Sequence, residues 1–128
     1  MGGRGTFAIG NHVDYTYQTV DKIEGVKVLK GMGQVHNLPE EAHSSSAYIK
    51  VDNEGKFVRY REFNTDKTSH FDIDYHPEKA ITGNVTEKVF HIHFYNSEGV
   101  RDKVGRRLTD EEYEKYKKYF RGRSVWVF

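Results

Sequence analysis

The 128-residue chain is long enough for one hydrophobic core and too short for two, and its formal charge of +1 argues against an acidic mimic of nucleic acid. It contains no cysteine, which excludes disulfides and thiolate sites, so any metal must be held by histidine and carboxylate ligands. No apolar run approaches the length of a bilayer span and the start, Met1-Gly2-Gly3-Arg4-Gly5, lacks the apolar block of a secretion signal, which predicts a soluble intracellular protein with no membrane partner.

Residues 1–46 read as loop-rich. Gly2, Gly3, Gly5 and Gly10 open the chain, and Gly31, Gly33 and Ser44-Ser45-Ser46 interrupt any regular period. Between them Ile23, Val26, Val28 and Leu29 fit either a short strand or a helical turn. From Ala47 the pattern is β-rich. Ala47–Val51 and Lys56–Phe63 flank Asp52-Asn53-Glu54-Gly55, whose Asn and Gly supply the positive φ of a hairpin turn. A polar link, 64–68, leads to a strand ending at His76, where Pro77 removes a backbone donor. Val89–Tyr95 forms the next strand, and Asn96-Ser97-Glu98-Gly99 reads as a tight turn. These segments predict a mostly antiparallel meander.

One helix is predicted from Thr109. Thr109 and Glu112 have capping-box spacing, Asp110 and Glu111 suit the positive end of the dipole, and Lys115, Lys117, Lys118 and Arg121 suit the other end, with Gly122 as C-cap. Tyr113, Tyr116 and Phe120 make a stripe suited to packing on the sheet, or less commonly to stacking on bases. The fold class is therefore α+β: an antiparallel sheet of four to five strands with one C-terminal helix on one face. It forms a single domain, 1–128, whose sheet-plus-helix core is 47–128.

Residues 101–128 carry nine basic and five acidic groups, whereas the first hundred carry 11 and 14. Arg106, Arg107, Lys117, Lys118, Arg121 and the near-terminal Trp126 thus make a candidate partner-binding surface, with Trp126 as its anchor. The excess is mild, and it does not predict direct nucleic-acid binding.

The chemistry concentrates in two segments. Alternation along a strand puts His70, Asp72, Asp74 and His76 on one face and Phe71, Ile73 and Tyr75 on the other; likewise His91 and His93 separate from Phe90, Ile92 and Phe94. If the strands are neighbours, imidazoles and carboxylates converge above an aromatic floor. His-x-His aims two imidazoles together, and Asp74 and His76 are best placed to complete a tetrahedral shell for Zn2+ or another first-row divalent ion. Asp72 could orient a ligating imidazole, and His70, His36 and His43 are alternates; His12 carries less weight. Two other readings stay open. The histidines could sit on a solvated sheet face, or His91 and His93 could be the acid and base of a nuclease, with Arg59, Arg61 or Lys88 on the phosphate. Against the latter stand the two carboxylates, which repel phosphate unless a cation neutralises them.

The series Ser46-Ala47-Tyr48-Ile49-Lys50-Val51-Asp52, Gly55-Lys56, Arg59-Tyr60-Arg61-Glu62-Phe63, Asp72-Ile73-Asp74-Tyr75-His76 and His91-Ile92-His93 resembles a small module of phage proteins. It also resembles C-terminal Asp-x-Asp/His-x-His modules of bacterial polymorphic toxins that are predicted nucleases. The likeness spans about residues 38–122. Among free-standing phage proteins of this length, the chain is similar to metal-containing anti-CRISPR proteins of type II-A systems. That resemblance implies a phage-encoded, non-catalytic inhibitor acting in the host bacterial cytoplasm. Its partner would be the RNA-guided DNA nuclease, kept from engaging DNA, and its metal would hold the fold through Asp74, His76, His91 and His93. The alternatives are a small metal-dependent or histidine-based nuclease of the toxin type and a phage structural or interaction protein.

Overall fold

The computed structural model describes residues 17–31, 37–42 and 45–123. His12, His36, His43, Trp126 and the apolar terminus 124–128 lie outside these residues. The strands are β1 (Tyr17–Ile23), β2 (Val26–Gly31), β3 (Ala47–Val51), β4 (Phe57–Phe63), β5 (Ser69–Pro77), β6 (Lys88–Phe94) and β7 (Arg106–Arg107). A single turn of helix, α1 (Lys79–Thr82), follows β5, and α2 (Asp110–Tyr116) runs into a 3-10 turn at Lys117–Tyr119.

Among the described residues seven strands form one sheet in sequence order. The expectation of four to five antiparallel strands is corrected on two counts. The segment that could have been strand or helical turn belongs to a β1–β2 hairpin, turned by Glu24 and Gly25, both at positive φ (49° and 84°). That hairpin joins the meander through a parallel β2–β3 pair, Lys27 beside Tyr48 and Val28 beside Ile49. Residues 32–46 provide the length a parallel return requires. From β3 to β7 every pairing is antiparallel, as expected. The turns at Gly55 and Gly99 have the positive φ that their sequences predict (79° and 80°).

The capping box of α2 is present: the Thr109 hydroxyl accepts from the Glu112 amide and the Glu112 carboxylate accepts from the Thr109 amide. The predicted stripe lies on the sheet, with Tyr113, Tyr116 and Phe120 all buried. Phe120 stands 4.7 Å, centroid to centroid, from both Phe57 and Phe90, and Tyr116 is 5.4 Å from Tyr60. Ile49, Tyr60, Ile73 and Ile92 face one another in register across β3 to β6 and fill the floor. A smaller cluster of Leu29, Leu38, Ala42, Tyr48 and Phe63 is packed separately. Among the described residues, no helix is long and apolar enough to cross a membrane.

Candidate metal centre on the polar face of the sheet

The strand register sets the polar side chains in two cross-strand rows. Arg61 pairs with Asp72 and Asp72 with His93; two residues along each strand, Arg59 pairs with Asp74 and Asp74 with His91. β5 and β6 are neighbours, so the convergence expected from alternation is realised for Asp72, Asp74, His76, His91 and His93. His70 departs from it. Phe63 pairs with Ser69 while Glu62 pairs with Phe71, leaving His70 as the extra residue of a bulge. Its exposed ring stands 5.0 Å from Phe71 and 6.2 Å from Phe94, among the aromatic residues.

Both aspartates are fully buried. A buried carboxylate needs compensating donors, and three guanidinium groups supply them. Arg61 grips Asp72 in fork geometry, Nε to Oδ1 at 2.6 Å and Nη2 to Oδ2 at 3.0 Å, and the Tyr95 hydroxyl donates to Oδ2 at 2.8 Å. Arg61 is itself anchored, its Nη1 donating to the carbonyls of Leu38 and Pro39. Arg59 grips Asp74 in the same way, at 2.6 and 3.1 Å. Arg101 adds a third cation, with Nη2 on Asp74 and Nη1 3.3 Å from Asp72. Burial opposes ionisation of Asp74, but hydrogen bonds from His76 and Arg59 and the charges of Arg59 and Arg101 hold its carboxyl well below the usual range. Burial and the Asp72 charge push the Tyr95 hydroxyl up to about 12.

The imidazoles are oriented by main-chain carbonyls and not by Asp72. Nδ1 of His91 lies 2.8 Å from the Val89 carbonyl, Nδ1 of His93 3.0 Å from that of Asp102, and Nδ1 of His76 2.8 Å from that of Pro77. A carbonyl only accepts, so each Nδ1 carries the hydrogen and in a neutral ring Nε2 keeps its lone pair. Burial lowers the pKa of both His91 and His93, and Arg101 lowers that of His93 further, which favours the neutral ring. His76 differs, because its Nε2 also faces a carboxylate oxygen of Asp74 at 3.1 Å. That hydrogen bond raises its pKa, and the protonated ring donates from both nitrogens.

Nε2 of His91 is buried and has no hydrogen-bond partner among the described residues. Around it, ligand atoms of Asp74, His76 and His91 all lie within 4.8 Å of one another, as do those of Glu78, His91 and His93. Nε2 of His93 is 3.6 Å from the Glu78 carboxylate, and that of His91 is 3.9 Å from Asp74. The Gly105 backbone covers the pair: a Cβ there would stand 3.0 Å from both His91 Cδ2 and His93 Nε2, and 2.8 Å from the Ile92 carbonyl. These groups can hold a metal ion, because the site offers bare nitrogen lone pairs, a nearby carboxylate and a position where only glycine fits.

Glu78, Arg101 and Gly105 belong to the site and were not singled out in the sequence. Glu78 follows the strand's terminal Pro77 and reaches His93, and its place two residues after His76 was its available signal. Arg101 and Gly105 arrive through the connection after β6, which no local pattern aims. Of the basic candidates for partner binding, Arg106 is paired with Glu112, Lys117 with Glu114 and Arg121 with Asp21, while Lys118 lies over the Tyr119 ring and Arg107 is exposed. No family model, curated protein or solved structure matches the chain.

Proposed function

We propose that the protein is a non-catalytic binding module whose fold is locked by a divalent metal, and that it serves as a phage-encoded inhibitor of a bacterial RNA-guided defence nuclease. The observation that carries the metal is the buried, unpartnered Nε2 of His91, since an imidazole nitrogen without donor or solvent is costly unless something else binds it. His91 and His93 supply the nitrogens, and His76 joins them only on giving up the Nε2 proton it donates to Asp74. Glu78 is a better fourth ligand than Asp74, whose oxygens already accept from Arg59 and Arg101. Three imidazoles and a carboxylate suit Zn2+. A non-catalytic role is supported by burial, because His91, His93 and both aspartates are almost completely covered, leaving substrate little access. The nuclease partner and the site of action in the host bacterial cytoplasm rest on the sequence resemblance.

Two measurements test this reading. Purified protein should contain about one equivalent of zinc, and the double substitution His91→Ala and His93→Ala should abolish that content and lower the melting temperature. Metal content that survives the double substitution refutes the ligand assignment. The intact protein, added to a guide-loaded type II-A nuclease, should suppress DNA binding and cleavage; full cleavage at saturating protein would remove the inhibitor reading.

A small nuclease is the second reading, favoured by one specific observation. The carboxylates that would repel a phosphate are neutralised by Arg59, Arg61 and Arg101. Incubation with RNA and DNA, with and without chelator, separates the two: turnover that is lost with His93→Ala would establish the enzyme and overturn the non-catalytic module.

A further inference from the structure

The polar face holds more positive charge than its aspartates consume. In register, Lys50 of β3 stands beside Arg59 of β4, and Arg59 beside Asp74 of β5. Arg59, Arg61 and Arg101 share two carboxylates, Asp72 and Asp74, so one guanidinium charge is already in excess. Lys50 adds another, and among the described residues no carboxylate forms an ion pair with it. Of the other acidic groups, Glu78 lies by His93, on the β6 side of Asp74, and Glu40 lies toward Tyr17, beyond the Leu38 and Pro39 carbonyls that hold Arg61.

These cations are partly withdrawn from water. The Arg59 side chain is 13 % exposed and that of Arg101 27 %, while Lys50 is half-buried. Burial, and then the Arg59 charge, hold the Lys50 ammonium below its ordinary pKa, the expected consequence of two cations side by side on neighbouring strands. Arg59 spends Nε and Nη2 on Asp74 and leaves Nη1; Lys50 has three donors on a flexible stem. A planar fork with a spare N–H, a mobile ammonium and a surplus charge behind them match a tetrahedral oxyanion with several acceptor oxygens.

We propose that Lys50 and Arg59, with Arg101 contributing charge from beyond Asp74, form a binding site for a phosphate group. The site lies on the β3–β4 side of Asp74, opposite the buried His91 and His93 and the Glu78 beside them. Phosphate relieves the repulsion between Lys50 and Arg59 without displacing Asp74 from its arginine. The same chemistry would take a free phosphate ester or a backbone phosphate of nucleic acid.

The test is a titration of the full-length protein as purified, desalted to remove free metal and at constant ionic strength, with inorganic phosphate followed by nuclear magnetic resonance of the Lys and Arg side chains. Saturable shifts at Lys50 and Arg59 are expected. Lys50→Gln should weaken binding about tenfold, Lys50→Arg should retain most of it, and Lys118→Gln, remote from the site on the 3-10 turn, should leave it unchanged. Thermal melts of each variant confirm that the fold is retained. Competition by a nucleoside monophosphate alone would assign the site to free esters, and competition also by a single-stranded oligonucleotide would extend it to backbone phosphate. Absence of saturation, or equal weakening by Lys50→Gln and Lys118→Gln, would overturn the proposal, the latter by reducing it to general attraction between a basic surface and an anion.

Discussion

The two faces of the central strands are made by alternate residues of the same segments, yet they are held by different physics. On one face Ile49, Tyr60, Ile73 and Ile92 meet the aromatic stripe of α2, and their contribution is area removed from water, without directional demands. On the other, Arg59–Asp74–His91 and Arg61–Asp72–His93 repeat one arrangement two residues apart, and each member requires its neighbour at one register. A one-residue slip would put Asp72 and Asp74 among the aromatic rings and Ile73 among the arginines. The apolar face thus supplies most of the stability, while the ionic rows specify register. Buried ion pairs are weak net stabilisers but severe penalties when mispaired.

The largest expected effect follows from breaking one row. Asp74→Ala leaves Arg59, Arg101 and protonated His76 without their shared acceptor in a buried setting, and should cost about 3–5 kcal/mol of unfolding free energy in denaturant titrations. Replacing both partners, Asp74→Leu with Arg59→Met, should recover part of that loss, because Arg59 is no longer stranded and Arg101 keeps its contact with Asp72; a double substitution as damaging as both single ones added would contradict pairing as the cause. Its neighbour on the opposite face offers the matched control. Ile73 is fully buried, and Ile73→Ala should cost about 2–5 kcal/mol through lost transfer energy and the cavity left behind. That loss should be additive with Arg59→Met, since the two side chains share no partner. Coupling between them would show that the faces are not energetically separate.

The sequence announced the two faces but not how the polar one is satisfied. Period-2 alternation in 71–76 and 89–94 is enough to assign Asp72, Asp74, His76, His91 and His93 to one side, and the capping box and stripe are enough for α2, because both signals are local. His70 is misassigned by the same rule, since a bulge shifts phase without leaving a mark in composition. The parallel β2–β3 pair depends on contacts between segments far apart in the chain, which no window captures. The role of the arginines is the deeper miss: the sequence offers Arg59 and Arg61 as phosphate contacts, not as partners of buried aspartates. Arg59 and Arg61 alternate in phase with the aspartates, yet a charged residue on a strand reads as solvent-facing until the partner strand is known. Arg101 and Gly105 required the path of the chain after β6.

The smallest expected effect, a change of slope, tests whether the imidazoles of the polar face behave as its hydrogen bonds require. An unfolded histidine titrates near pH 6.5. Burial lowers the pKa of His91 and His93 in the fold, so below about 6.5 the unfolded chain binds protons that the folded one refuses, and stability falls with falling pH. His76 has the opposite sign: its hydrogen bond to Asp74 raises its pKa, and the stability it contributes is complete below about 6.5 and lost as pH rises through its folded value. Asp74, held low by His76 and Arg59 against its own burial, loses its contribution only in far more acidic solution. The chelated protein should therefore show a stability maximum near pH 6.5 in melts from pH 5 to 8. Paired His91→Gln and His93→Gln substitutions should flatten the acid limb and spare the alkaline one, whereas His76→Gln should do the reverse. An acid limb that persists in the first variant would mean that those two rings are not kept neutral by burial, and the ordered lone pairs on which metal binding relies would lose their basis.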